Sequence, residues 1–526
     1  MKLRRDHSRL LGGCFLAGSA LYLLSALWIN FHAGVWYDYD MYSDLLVAGL
    51  MARQRTLFPA NWVFGNQYYV IATPALAALL MPLCQSGLRA MGLASSLMGL
   101  GVALSFVWCC RPFFRPASIA AGLFCLSGAV IVGTSAAADL CGMQLFYTMA
   151  SYYACYLIGF LLHLGFWLRL RADKRASAPV CVALLLSDLA FGLQSPRETL
   201  LLNLPLVLLE ALLLLRGQRR NRSLAFVLLC LGLNLLGLFL RRFLPVRSSP
   251  IISDVALHLA PAEIGARFLS CLGNLAQISG LSRLAGPLRE KPLGLIALLS
   301  WALVLLALTR RRHPAIALCL LSLGCVFGVG VFLFDTRAIY FFLWFALVSL
   351  CAAQLVETLP PSRFKTLLLA GLLLCGLVNY VSNFYPDVRR YPSHAAFYSR
   401  LEAELAEEGV DHLYVDMMTP PTLAAFSDGA IVSGTFSYDF SGQGSLLRGT
   451  PHLRMDGLFE DIDPARSRVV LSAMDYSDLS SLEFVRRYGS EEAYRRLTDG
   501  LELERVEQLD YITLYFYRLS EPSLLS

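Results

Sequence analysis

Trp36-Tyr37-Asp38-Tyr39-Asp40-Met41-Tyr42-Ser43-Asp44 crowds carboxylates and tyrosines together immediately after an apolar run that begins near Leu10. Ahead of that run, Met1 to Arg9 is basic, and no small-residue cleavage site intervenes. The run therefore reads as a retained first span with the N-terminus inside, and the acidic stretch as the opening of a loop on the outer side. Tyrosines suit a membrane interface, where an apolar ring meets a polar tip. A carboxylate at such a surface either hydrates as ordinary loop chemistry, serves as a general base toward a hydroxyl, or holds a cation.

Working outward, a helix needs about 20 apolar residues to cross the ~30 Å hydrocarbon layer. Runs of that kind begin near Leu10, Gln67, Met91, Ala117, Ser151, Pro179, Leu200, Leu224, Pro292, Pro314, Ala338 and Lys365. Basic clusters separate them at Lys2 to Arg9, Arg111 with Arg115, Arg169 to Arg175, Arg216 to Arg222, Arg310 to Arg312, and Arg363 with Lys365. If these clusters share the inner side, an even number of crossings must lie between neighbouring clusters. That holds from Arg115 onward. Between Arg9 and Arg111 three runs compete, and Gln67 to Leu83 is the one that fails to cross. It contains Pro74 and Pro82 and opens with Tyr68 and Tyr69, so it reads as a juxtamembrane or re-entrant helix. About eleven spans result. Pro179 to Leu193 and Leu200 to Leu215 are slightly short and read as a helical hairpin meeting at Gln194 to Thr199.

Composition agrees. The chain of 526 residues is 56% hydrophobic and 16% charged, with mean hydropathy +0.57. Soluble domains carry roughly 25% charged residues, so a water-soluble enzyme is excluded, as are disordered and collagenous chains. The net charge of +6 hides a division. From Tyr385 onward there are 13 basic and 24 acidic residues, a balance of −11, against +17 for the preceding part. The basic excess sits in short clusters between apolar runs, as in cytoplasmic loops, and does not suggest nucleic acid. All 14 cysteines lie at or before Cys375, so the acidic tail carries no disulfide framework. The expectation is a transmembrane domain over 1–384 and a soluble extracytoplasmic α/β domain over 385–526. In the latter, Ala395 to Glu408 and Ser480 to Arg496 read as helices. His412 to Asp416, Arg468 to Ala473 and the paired Leu503 to Leu519 read as strands, the last with a tyrosine-rich face.

Beyond the opening stretch, charges at the outer ends of spans are the candidates for chemistry. Asp139, in the second outer loop, is either a solvated cap or a second carboxylate completing a cation or acceptor site with Asp44. Arg197 and Glu198 lie at the hairpin tip, and Asp335 and Arg337 at a later junction. They either pair locally or face a cavity, where an arginine clamps a phosphate bidentately. The long loop after Leu240 carries Arg241, Arg242, Arg247, Asp254, His258, Glu263, Arg267, Arg283 and Arg289. Its middle, Ala262 to Leu284, fits an amphipathic helix on the membrane with its basic residues at lipid headgroups. Asp188 lies within an apolar run, as a polar contact between helices or a functional group. Asp416, Asp428, Asp439, His452 and Asp456 in the tail read as loop and cap positions. No HExxH, CxxC pair, Walker A or Rossmann fingerprint occurs in a suitable context, which argues against a zinc protease, an ATP-driven pump and a nucleotide-sugar enzyme of the soluble type.

The layout resembles the GT-C glycosyltransferases, in particular the polyprenyl-phosphate-sugar-dependent group of protein mannosyltransferases and aminoarabinose transferases. The resemblance is carried by Asp38-Tyr39-Asp40 in the first loop, the segment Leu88 to Leu104, the basic turn Arg111 to Arg115, and Asp139 after the next span. It follows the chain in order from Met1 to Tyr153 and continues as general hydropathy. The His-Pro-Pro element of protein mannosyltransferases is absent, which argues against protein O-mannosylation. The resemblance implies a polyprenyl-phosphate sugar donor whose lipid stays in the bilayer, and a cell-envelope glycan or lipid as acceptor. Asp38 or Asp40 is implied as catalytic base, and Arg337, Arg197 and Arg241, in that order, as ligands of the lipid phosphate. Inversion at the anomeric carbon, no required cofactor, room for a divalent cation, and a bacterial plasma-membrane location follow with it. Two other classes fit the pattern: a transporter or flippase of lipid-linked glycans, with charge at mid-membrane depth where Asp188 is the acidic candidate, and a non-catalytic envelope assembly protein.

Overall fold

The computed structural model describes residues 2–32, 39–132, 142–148, 151–174, 176–249, 256–310, 313–360, 362–416, 422–438, 447–450, 453–474, 501–509 and 512–519. In chain order the helices are α1 (Lys2–His32), α2 (Tyr39–Gln54), α3 (Thr73–Leu80), α4 (Gly87–Cys110), α5 (Pro116–Phe124), α6 (Ala154–Arg171), α7 (Ala178–Gln194), α8 (Leu204–Leu215), α9 (Asn221–Leu240), α10 (Pro261–Ile278), α11 (Lys291–Leu308), α12 (Pro314–Phe332), α13 (Leu343–Thr358), α14 (Arg363–Asn379), α15 (Tyr385–Glu407) and α16 (Thr422–Ala425). Proline opens many of them, at Pro74, Pro116, Pro179, Pro261, Pro292 and Pro314. Its missing N–H costs nothing there, because the first-turn donors have no intrahelical partner. Ser86 and Ser362 cap α4 and α14 by accepting from the N–H groups of Arg89 and Lys365, both at 3.3 Å.

Among the described residues, eight helices are long and apolar enough to cross a membrane: α1, α4, α6, α9, α11, α12, α13 and α14. Four shorter apolar stretches, Thr73–Leu83, Pro116–Ala129, Ala178–Gln194 and Thr199–Leu215, complete the twelve expected runs. Contacts gather the basic clusters on one face. Gly12 of α1 lies against Ala117 at the start of α5. Lys174 donates to the Pro112 carbonyl, and Arg220 pairs with Asp173 at 2.6 Å. Arg115 pairs with Glu357 at 3.2 Å, and His313 packs on Phe113 and Phe114. Lys365 closes the set by donating to the Val356 and Leu359 carbonyls. Pro116–Ala129, Ala178–Gln194 and Thr199–Leu215 run between this basic face and the opposite one. The Thr73–Leu83 stretch stays on the opposite face, packed between α2 and α4, as its two prolines require.

The expected hairpin of α7 and α8 takes a different form. The two share the turn at 195–198, but α7 packs chiefly on α9 and α8 chiefly on α12. Glycine dictates the first pairing. A Cβ on Gly192 would meet the Asn234 carbonyl oxygen at 2.1 Å, and one on Gly237 would meet that of Leu189 at 2.3 Å. Only glycine permits backbones so close, the small-residue packing of membrane helices. The amphipathic helix expected over 262–284 is α10. It buries Cys271 and Ile278 and exposes Phe268, Leu269 and Leu272.

The C-terminal strands are β3 (His412–Asp416), β4 (Val432–Tyr438), β5 (Leu447–Gly449), β6 (Arg454–Met455), β7 (Ser467–Met474), β8 (Leu501–Leu509) and β9 (Ile512–Leu519), following β1 (Trp62–Phe64) and β2 (Arg247–Ser248) nearer the N-terminus. Six form a sheet in the order β5-β4-β3-β7-β9-β8, parallel at β4-β3-β7 and antiparallel at its edges. Helix α15 covers it with Tyr398, Leu401 and Leu405, all buried. Arg400 to Glu507 (3.1 Å) and Arg505 to Glu404 (3.2 Å) tie α15 to β8. Tyr515 and Tyr517 alternate onto one side of β9, as the tyrosine pattern implies. The helix expected over Ser480 to Arg496 lies outside the described residues. A second sheet, β2-β1-β6, joins three chain-distant segments on the face away from the basic clusters.

Candidate functional site

Helix α2 presents Asp40 and Asp44 one turn apart, so both carboxylates lie along the same side. Asp40 accepts a hydrogen bond from the Tyr152 hydroxyl at 3.5 Å, just ahead of α6. Burial pushes the Asp40 carboxyl above the ordinary carboxylate range, while the positive charges of Arg337 and then Arg197 oppose that shift. Three expected site residues from distant parts of the chain thus share one electrostatic site. Asp44 lies deeper and buried, close to Tyr69. Burial raises the Tyr69 phenol well above its usual value, and the neighbouring Asp44 carboxylate adds to the shift.

Arg197 stands on the turn that follows α7. Its guanidinium carbon lies 5.4 Å from the Tyr153 ring centre, 6.0 Å from Tyr156 and 5.9 Å from Tyr340. This aromatic cage stabilises the cation. One terminal nitrogen donates to Gln67 Oε1 at 2.7 Å. Gln194, at the end of α7, anchors the Gln67 segment. Its backbone carbonyl accepts from the Tyr68 N–H at 2.9 Å, and its Oε1 accepts from Val70 and Ile71 N–H at 3.1 and 3.0 Å. Its amide nitrogen donates to the Tyr156 hydroxyl at 3.1 Å. One side chain therefore locks the juxtamembrane segment, the start of α6 and the Arg197 turn together.

Arg337 lies ahead of α13 with its side chain exposed. Its neighbour Asp335 pairs instead with Arg267 of α10 at 3.2 Å. Among the described residues Arg337 makes no ion pair at hydrogen-bond distance, and its positive charge acts on Asp40. Arg241, at the end of α9, donates to the Asn66 carbonyl at 2.9 Å and lies 4.2 Å from the centre of the Tyr68 ring. It flanks the segment that holds Arg197. Asp38 and Asp139 lie outside the described residues.

Sequence reasoning missed Tyr152, Gln67 and Gln194 as members of the site and took Tyr69 for an interfacial residue. The one available signal was the polar interruption at Gln194 to Thr199 between two apolar runs. In the tail, Asp428 caps α4 by accepting from the Gly87 N–H at 2.8 Å, and Asp456 pairs with Arg247, so both are caps or ties as expected. His258 meets Glu263 at 3.2 Å and Arg267 at 2.9 Å, a local network. A half-buried carboxyl within electrostatic reach of two guanidinium groups, beside a phenol, suits an anionic ligand and a proton acceptor in one place.

No family model matches the chain, and no curated protein matches it. Solved structures do. The crystal structure of ArnT from Cupriavidus metallidurans in the apo state aligns with a TM-score of 0.51 at 13% identity, covering 96% of this chain and 98% of that one. The crystal structure of the same protein bound to undecaprenyl phosphate aligns with the same TM-score, 0.51, and the same 13% identity. At that identity the likeness is one of fold: the chain is a multi-pass helical membrane protein with the architecture of ArnT and a C-terminal sheet domain.

Proposed function

We propose that this protein is a membrane glycosyltransferase that moves a sugar from a polyprenyl phosphate to an acceptor in the cell envelope. The observation that carries the reading is the grouping of Asp40 with Arg337 and Arg197 on a fold shared with ArnT. That ArnT has been crystallised with undecaprenyl phosphate supports a lipid phosphate as the group the arginines meet. In the reaction, the acceptor hydroxyl gives its proton to the Asp40 carboxylate, with Asp38 the alternative base. Its oxygen attacks the anomeric carbon as the bond from that carbon to the phosphate oxygen breaks. The transition state is oxocarbenium-like, and a single displacement inverts the anomeric centre. Arg337 and Arg197 neutralise the charge that develops on the departing polyprenyl phosphate, the moment at which fixed cations lower the barrier most. Asp44 and Tyr69 stand beside the base, and Asp44 with Asp139 is the pair assigned to the acceptor or a cation. The lipid chain stays in the bilayer, so the scheme needs no nucleotide site and no cofactor. The acidic tail then faces the extracytoplasmic side of a bacterial plasma membrane, and the basic face lies in the cytoplasm.

Glycan composition of the cell envelope tests this in a deletion strain carrying either the wild-type gene or Asp40→Asn, each at equal membrane level. One sugar should vanish in the deletion, return with wild type and stay absent with Asp40→Asn. Full restoration by Asp40→Asn together with Asp38→Asn would remove both carboxylates from the chemistry and return the transporter and assembly readings to the front.

A further inference from the structure

A second polar cluster lies inside the helix bundle, away from the Asp40 site. His163 of α6, Asp188 of α7 and Cys230 of α9 each offer one ligand atom, all within 4.8 Å of one another, and all three side chains are buried. Each ligand comes from a different helix. His163 Nε2 lies 3.0 Å from Asp188 Oδ2, with both side chains fully shielded from solvent. On its other nitrogen, His163 Nδ1 meets the Gly159 carbonyl at 2.8 Å. That contact makes Nδ1 the proton-bearing nitrogen, because a carbonyl only accepts. A neutral imidazole would turn its Nε2 lone pair toward a carboxylate oxygen, a repulsion that either a second proton on the ring or a metal ion held by both atoms removes. The Nδ1–H to backbone carbonyl bond is also the usual outer support of a metal-bound histidine. Asp188 is steadied in turn by Asn203 Nδ2, which donates to Oδ1 at 3.2 Å.

Glu198 is an independent pointer. It is fully buried, and among the described residues neither of its carboxylate oxygens has a hydrogen-bond partner. Its electrostatic neighbours are His163 and Asp188. It also lies against Gly159, whose Cβ position would be 3.2 Å from Glu198 Oε1, so the carboxylate hangs over the same turn of α6 that orients His163. A buried carboxylate without a partner is costly, and a metal ion held by His163, Asp188 and Cys230 would supply one to Glu198.

We infer that His163, Asp188 and Cys230 form a transition-metal site closed by Glu198, with Zn²⁺ the best match. One imidazole, one thiolate and carboxylate oxygens are a borderline donor set that excludes Mg²⁺ and Ca²⁺, which take oxygen ligands. Tetrahedral zinc holds its donors roughly 3.2–3.8 Å apart; His163, Asp188 and Cys230, within 4.8 Å of one another, reach that after small shifts, and Glu198, outside that group, must swing in to complete the four. A dication with one thiolate, two carboxylates and a neutral imidazole carries a net charge of −1, so the metal offsets most of the ligand charge in an apolar surround. The site is structural: it pins α6, α7 and α9 just below the turn that carries Arg197. The inference does not depend on the glycosyltransferase reading.

Metal analysis of the purified full-length protein in detergent, prepared without chelators, is the test. Wild type should carry about one Zn²⁺ per chain. After exchange with Co²⁺ it should show a near-ultraviolet thiolate-to-cobalt band together with visible bands of a four-coordinate ion. Cys230→Ser should lose the thiolate band and bind metal at least about tenfold more weakly. Cys351→Ser, outside the cluster, should retain both. Where Cys230→Ser or Asp188→Asn fails to give a monodisperse protein, the wild-type cobalt spectrum alone decides. Wild-type protein that is metal-free as purified and takes up no Co²⁺ overturns the proposal and leaves His163 as a buried imidazolium paired with Asp188. A Co²⁺ spectrum unchanged in a folded Cys230→Ser protein overturns it equally.

Discussion

Asp40 must be ionised to accept a proton, and its surroundings pull in opposite directions. Burial favours the neutral carboxyl; Arg337 and Arg197 favour the carboxylate. Burial prevails, so the folded-state pKa is raised. Transfer activity should therefore rise with pH along an acid limb that lies above the ordinary carboxylate range, since the base is lost as pH falls through that raised value. Arg337→Gln removes the larger opposing charge and should move the limb to still higher pH, while Arg337→Lys should hold it near the wild-type position. A limb that stays in place in Arg337→Gln would separate the two residues. Asp40→Asn should lower the transfer rate by about 10²–10⁴-fold, the usual worth of a positioned base, with donor binding largely kept. That Asp40, Arg337 and Arg197 lie on one side was legible because all three sit at ends of apolar runs that parity assigns to that side. Tyr152 and Gln67 were not, because an aromatic or amide at a membrane surface has a sufficient reason to be there without a site.

At the scale of elements, the number of apolar helices was legible because hydrocarbon thickness sets their length. Their partners were not. A run that is apolar on every side carries no stripe to say which face meets which neighbour, and so α7 could pair with α9 across an intervening helix. For the same reason His163, Asp188 and Cys230, on three different helices, could not be assembled from spacing. The glycines decide that pairing. Gly192→Leu forces a side chain into the Asn234 carbonyl, where even a Cβ would stand at 2.1 Å. It should destabilise the protein by about 1–3 kcal/mol or more, as overpacked interiors do, seen as a lower midpoint in thermal unfolding in detergent. Gly232→Leu, on the same α9 but with open space where its Cβ would be, should leave that midpoint nearly unchanged. Equal effects of the two would mean that helix propensity, rather than the α7–α9 contact, governs the region.

Across the whole molecule, the C-terminal sheet is stitched to the helix that carries Asp40. The Ser433 N–H, at the start of β4, donates to the Tyr42 hydroxyl of α2 at 3.0 Å, and Ser43 donates to the Leu453 carbonyl at 2.9 Å. Strand β6 pairs with β1, and Asp428 caps α4. The acidic tail thus sets the position of α2 from one side while the apolar bundle sets it from the other. These ties differ sharply in worth. Tyr42 is 1% exposed, and Tyr42→Phe leaves the buried Ser433 N–H without an acceptor, a loss of about 1–3 kcal/mol. The Arg247–Asp456 pair, with side-chain exposures of 67% and 31%, is open to water and contributes at most about 1 kcal/mol. Tyr42→Phe should therefore lower both the unfolding midpoint and the transfer rate, although Asp40 and its arginines are intact. Asp456→Ala should change neither by much. Limited proteolysis gives the second reading: the Tyr42→Phe protein should release the C-terminal segment faster than wild type while the helical bundle stays protected. If Tyr42→Phe unfolds and turns over like wild type, the tail rides on the bundle without positioning α2, and the acidic tail must be assigned a separate task.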